Sequence, residues 1–131
     1  MTVRIVRLGS PRHPEEGLRI GTVRRPPRGV PKGEYAARDL YDVWLPNLAP
    51  SEALLKEAQT AVAASDERPW KSFVRRYRAE MKTQENRALL DTLAALSKHA
   101  NFSVGCYCAD EARCHRSVLR MLLEERGASL G

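Results

Sequence analysis

The sequence has no long apolar run. Nothing in its 131 residues approaches the roughly 18 consecutive apolar residues of a membrane-spanning helix, so no membrane partner is expected. It also lacks a signal peptide: the opening run Met1 to Gly9 is broken by Arg4 and Arg7. Cysteine is scarce and badly distributed for disulfides. All three cysteines fall within nine positions, Cys106 to Cys114, and the odd count leaves one unpaired, which points to a reducing compartment and a cytoplasmic protein. Internal repeats and low-complexity tracts are missing as well, and the length suits a single domain over residues 1–131.

What is present is ordinary globular composition, 43% hydrophobic and 29% charged, with a net charge of +6. That balance suits an anionic partner, either a small molecule or nucleic acid. Val3 to Leu8 and Leu18 to Val23 read as strands, the second with Leu18, Ile20 and Thr22 on one side. Between them, residues 9–17 carry two prolines and two glycines and read as a mobile surface loop with a solvated His13. Residues 24–34 form a second loop, rich in proline and arginine. Residues before proline are held extended, so this loop can present Arg24, Arg25 and Arg28 to an anion.

Leu40 to Leu45 reads as a third strand, closed by Pro46. Ser51 suits a helix N-cap, with Leu54, Leu55, Ala58 and Val62 as the buried face and fraying near Ser65. Pro69 suits the first position of the next helix. There Trp70, Phe73, Val74, Tyr77 and Met81 make one apolar stripe, read as core rather than as a ligand box. Lys71, Arg75, Arg78 and Lys82 form a basic stripe beside it. Thr83 caps a third helix reaching about Lys98, with Leu89, Leu90, Leu93 and Leu96 inward. Phe102 to Tyr107 is the last strand, and His115 to Arg126 the last helix, stopped by Gly127. The pattern predicts an α/β class: a small, mostly parallel sheet flanked by helices.

The chemistry concentrates where the last strand gives way to the last helix. Cys106 and Cys108, two apart on a strand, are expected on one face. Cys114 falls at the helix start, where unpaired N–H groups, Arg113, Arg116 and a charged His115 are expected to lower a thiol pKa and hold an anion. The candidate site is therefore catalytic Cys106, Cys114 and His115, with Arg116, Arg113, Arg28 and Arg24 as anion contacts and Cys108 as an accessory or packing residue. The reading is a reactive thiol, nucleophilic or redox, at an anion-binding pocket. The alternatives are a non-enzymatic nucleic-acid or nucleotide binder, and a metal site. Against a metal, the cysteines do not form two separate doublets, and adjacent Cys114 and His115 make an unusual chelating pair; no metal ligand is assigned. The tyrosine-phosphatase loop is absent, since Arg113 comes one residue early after Cys108, and so is a Cys-X-X-Cys motif. The residues specify no cofactor and no reaction.

The ending Cys106-Tyr-Cys-Ala-Asp-Glu-Ala-Arg-Cys-His-Arg116 resembles the signature of domain-of-unknown-function family 488, a strand-terminal Cys followed eight residues on by Cys-His-Arg. Pro27-Arg-Gly-Val30, Leu48-Ala-Pro-Ser51 and the Trp70, Phe73, Tyr77, Glu80 helix look like its YeaO-like branch, in the same order, so the resemblance covers about residues 3 to 124. Val23 stands where that branch carries an acidic residue, while Arg24 matches the arginine that follows it. The resemblance implies an α/β sandwich with the Cys-His-Arg segment near a pocket. It implies no reaction.

Overall fold

The computed structural model describes residues 1–63, 67–108 and 114–131, with the side chains of 58–63 left aside. Four strands form one parallel sheet in the order β1-β4-β2-β3. They are β1 (Val3–Arg7), β2 (Leu18–Gly21), β3 (Val43–Trp44) and β4 (Phe102–Cys106). Helices α1 (Glu52–Ala63), α2 (Glu67–Glu80) and α3 (Gln84–Leu96) lie between β3 and β4 in the chain, and α4 (His115–Glu125) follows β4. No helix among the described residues is long and apolar enough to cross a membrane.

The last strand in sequence is the central one in space. β4 pairs with β1 from Val3↔Phe102 to Arg7↔Cys106, and with β2 from Leu18↔Phe102 to Gly21↔Gly105. All five of its residues are buried, as expected for a parallel strand covered on both faces. Its side chains alternate. Phe102 and Val104 enter a core shared with Phe73, Tyr77, Leu90 and Leu119. Ser103 turns the other way and donates to Glu16 Oε2 at 2.7 Å.

That opposite face overturns the reading of residues 9–17 as a mobile surface loop. Glu16 is only 2% exposed and Arg19 is fully buried. Arg19 donates to Glu16 through Nε at 2.6 Å and Nη2 at 2.9 Å, and through Nη1 to the carbonyls of Ser10 and Asp39. Burial raises the Glu16 pKa, but the hydrogen bonds from Arg19 and Ser103 outweigh it and hold the carboxyl below its usual range. A charged residue in a strand otherwise read by hydrophobic alternation is thus the anchor of the loop before it. His13 is exposed, as expected.

Other elements differ in detail. The third strand shrinks from Leu40–Leu45 to Val43–Trp44, because Asp39 takes a positive φ of 57° and the Leu40 N–H turns back to the Tyr35 carbonyl. The second strand stops at Gly21, and Leu18, read as sharing a side with Ile20 and Thr22, is 46% exposed whereas those two are buried. Pro69 is the third residue of α2, where an absent N–H is still harmless. Thr83 and Ser51 cap their helices by accepting from Asn86 N and Leu54 N. Phe73, Tyr77 and Met81 are buried, with Trp70 and Val74 packed against them. Leu96 is 42% exposed rather than inward. The Ala58, Val62 and Ser65 expectations lie outside the described side chains. Gly127 closes α4 at φ 77°.

Candidate functional site

The site lies at the carboxyl end of β4, where open parallel sheets usually bind their ligands. β4 ends at Cys106, so Cys108 does not lie on the strand as the sequence spacing predicts: Cys106 is 1% exposed, whereas Cys108 is exposed. Cys114 is the N-cap residue of α4 and makes no side-chain capping bond. Its Sγ faces Cys106 Sγ at 2.7 Å. A second small core, with Leu8, Val23 and Tyr41, encloses this pair. Cys108, two residues after Cys106, is exposed and is influenced electrostatically by both of them. One accessible thiol therefore neighbours two buried ones.

His115 is fixed from two sides. Its Nε2 lies 2.8 Å from the Thr22 carbonyl oxygen. A carbonyl only accepts, so Nε2 carries the proton and the Nδ1 lone pair faces Cys114 Sγ at 3.6 Å. The Tyr77 ring meets the imidazole edge-on, with centroids 5.6 Å apart, and the Tyr77 hydroxyl is held by the Leu48 carbonyl at 2.7 Å. The aromatic stripe of α2 is core, but it also positions the site histidine. The stripe was legible in the sequence; the contact with residue 115 was not, because nothing local encodes it.

The electrostatics reverse two expectations. Burial drives the His115 pKa down to about 4, against the pull of the Thr22 hydrogen bond, so at neutral pH the ring is uncharged. The contact with Cys106 draws the Cys114 thiol down, but the contact with Cys108 and burial outweigh it and leave it at about 11. The thiol contacts with Cys108 and Cys114, together with burial, push Cys106 far above the ordinary thiol range. Hydrogen bonds from the other two thiols hold Cys108 far below that range, and the Arg116 charge adds to them. Of the three, the exposed sulfur is the one whose surroundings favour the thiolate, and it is the one the sequence reading gave an accessory role.

The arginines divide by task. Arg116 is 4% exposed; its Nη2 donates to the Cys108 carbonyl at 2.7 Å, and its Nε is buried without a partner. Arg24 is committed to the carbonyls of Pro50 and Ala49 at 3.0 and 2.9 Å. Arg25 pairs with Glu52 at 2.6 Å. Arg28 is exposed and, among the described residues, has no hydrogen-bond or ion-pair partner. Arg113 lies outside the described residues. Arg24, Arg25 and Arg28 line a pocket of about 500 Å³ together with Cys106, Cys108 and His115. Of the basic stripe on α2, Arg78 pairs with Glu125, and none of its four residues lines this pocket.

The ligand atoms of Cys106, Cys114 and His115 lie within 4.8 Å of one another, so a small soft cation fits among them. The sequence argument against adjacent Cys114 and His115 as joint ligands does not hold here, since Sγ and Nδ1 converge.

The family model for DUF488-N3a, the active DUF488-N3 subclade, matches residues 3–127. The chain belongs to the DUF488 family. That match covers the elements that build the DUF488 site, from β1 through α4, and leaves the YeaO-like branch an expectation. Searches of curated proteins and of solved structures find no match to this DUF488 chain.

Proposed function

We propose that this DUF488 protein is a thiol-dependent enzyme in which Cys108 is the attacking group and Cys106 and Cys114 are the resolving thiols. One observation carries the reading: an accessible thiol, Cys108, lines the same pocket as the buried Cys106, whose sulfur meets the buried Cys114 at a helix N-terminus. The thiolate is the nucleophile, and the environment favours it on Cys108. The family's description as an active subclade agrees with a catalytic role.

The reaction class that suits an accessible thiol beside buried resolving thiols is exchange at an electrophilic sulfur, R–S–X. Cys108 thiolate attacks that sulfur; the new S–S bond forms as X leaves with the bonding pair. Cys114 then gives its proton to His115 Nδ1, and its sulfur attacks Cys108 Sγ. The R–S⁻ group leaves and takes up a proton. The two cysteines have lost two electrons and the substrate sulfur has gained them. An external dithiol reductant restores the enzyme. Arg116 steadies the loop through the Cys108 carbonyl and adds positive charge beside the thiolate.

The test is iodoacetamide labelling of the native protein at pH 6 with peptide mapping. Cys108 is expected to label on the order of ten-fold faster than free cysteine, whose thiolate is then below about 1%. Cys106 and Cys114 label only on unfolding. Equal, slow labelling of all three sinks the reading.

A second reading is favoured by the convergence of Cys106, Cys114 and His115: a structural soft-metal site. Elemental analysis of protein purified without chelator separates the two. Stoichiometric zinc that blocks all labelling until it is chelated supports the metal. The nucleic-acid reading requires the α2 stripe and the proline loop to share a groove, and no residue of that stripe lines the pocket.

A further inference from the structure

The pocket also carries information about what enters it. Its volume of about 500 Å³ is that of a small-molecule site, within the usual range of roughly 300–1,000 Å³. Nucleic acid needs an extended surface instead. Val23, Pro27, Val30, Leu40 and Leu55 line it, so much of the wall is apolar. Pro26 and Pro27 have no backbone N–H, which removes two hydrogen-bond donors from the wall. Polar recognition there falls to side chains.

Three of those side chains are arginines, and two are already committed. Arg24 holds the carbonyls of Ala49 and Pro50, which fixes the loop against the start of α1. Arg25 is neutralised by Glu52. Arg28 keeps an unmatched charge among the described residues. The buried lining residues Val23, Cys106 and His115 mark the floor, and the exposed Arg28 and Cys108 mark the mouth. One unmatched cation beside an apolar wall complements one negative charge on an apolar body.

We infer that the pocket selects a small organic anion, its apolar body against Val23, Pro27 and Leu55 and its carboxylate or phosphate on Arg28. This deepens the thiol reading and relies on it only for the reacting group. Arg28 is then a specificity residue, and Arg24 and Arg25 are scaffolding for the loop that carries it.

The experiment uses ligands that cannot react with a thiol: 4-methylbenzoate, 4-methylphenyl phosphate and the neutral 4-methylbenzamide, titrated into the full chain and followed by NMR shifts. In the wild type one of the two anions is expected to bind about ten-fold tighter than the amide, a difference typical of one partly desolvated charge pair. Which anion wins tells carboxylate from phosphate. Arg28→Ala should bring that anion to within about two-fold of the amide and leave amide binding unchanged. Arg25→Ala should preserve the anion's advantage, and Leu55→Asn should weaken all three ligands. Arg28 is exposed, so its removal does not threaten the fold. Equal binding of amide and anions to the wild type overturns the inference, as does an anion advantage that survives Arg28→Ala. Because no probe is an electrophile, failure here leaves the Cys108 labelling result standing, and failure of labelling leaves this binding result standing.

Discussion

His115 Nε2 donates to the carbonyl of Thr22 at 2.8 Å, across 93 residues of chain. That bond decides which nitrogen faces Cys114, while burial, working against it, keeps the ring neutral. His115→Gln offers an amide in place of the ring but loses the aligned Nδ1 acceptor. Cys108 labelling should be nearly unchanged, because the first attack does not need His115. Release of the mixed disulfide by Cys114 should slow by about 10²-fold, the usual scale of one proton-transfer group. Single-turnover quench with intact-mass detection of the adduct separates the two steps. If both slow together, His115 is structural only.

The pH dependence follows from opposite shifts on neighbouring groups. Cys108 is depressed far below the ordinary thiol range, so its thiolate persists as pH falls. The iodoacetamide rate at Cys108 should stay flat from about pH 8 to pH 5, where a free thiol loses roughly ten-fold per unit. The His115 pKa of about 4 sets a second limit: below it the ring charges and loses its Nδ1 lone pair. A stopped-flow rate profile that falls steadily from pH 8 contradicts this.

Mild oxidation should close an internal disulfide. With Cys106 and Cys114 in contact and Cys108 beside them in the chain, diamide is expected to remove two free thiols per chain and leave one, without cross-linked dimers on non-reducing gels. Titration with a thiol-specific chromophore counts the loss. Intermolecular dimers as the main product would mean that Cys108 alone is oxidised.

Glu16→Gln should test the buried ion pair. It leaves the Arg19 charge in a fully buried site with one partner weakened. Breaking such a pair costs about 3–5 kcal/mol, which corresponds to a Tm loss on the order of 10 °C or more. The sign with pH is fixed by the lowered Glu16 pKa. The carboxylate's contribution is present above the unfolded carboxyl pKa, near 4, and is lost as pH falls through the lower folded value. Wild-type stability should therefore drop below about pH 4 more steeply than that of the variant, measured by thermal melts across pH.

Gly105→Ala should damage the sheet beside the site. A Cβ there would sit 2.4 Å from the Val6 carbonyl oxygen and 2.9 Å from Val6 Cγ2. The carbonyl cannot move without disturbing the β1–β4 ladder. Overpacking of this kind costs about 1–3 kcal/mol, measured by urea unfolding. Gly33→Ala, where nothing lies within 4 Å, is the control and should be neutral.

Much of the architecture was legible because periodicity and capping are local. The apolar stripe from Trp70 to Met81, the Thr83 cap and the Gly127 stop all encode their own geometry. The strands were harder, since a two-residue strand such as Val43–Trp44 is defined by its neighbour β2 rather than by its residues. Arg19 resisted sequence reading for the same reason: its burial depends on Glu16 and on the carbonyls of Ser10 and Asp39. At the site, composition pointed to the stretch, whereas the proposal of Cys108 as the attacking sulfur rests on burial and exposure that composition does not encode. The expected order of reactivity, with Cys106 and Cys114 ahead of Cys108, assumed a charged His115. Burial removes that charge and raises the two enclosed thiols. Nor could spacing distinguish Arg28 from Arg24 and Arg25; only their partners do.

The position of β4 has a consequence for synthesis on the ribosome. Among the described residues β4 is the one strand that pairs with β1, so about a hundred residues must be made before the first strand can pair. A sheet closed by its last-made strand has high contact order and is expected to form late. Until then Cys106, Cys108 and Cys114 are separate, solvated thiols with ordinary acidity. The acidity proposed for Cys108 is thus acquired only once α4 has docked and enclosed the other two sulfurs.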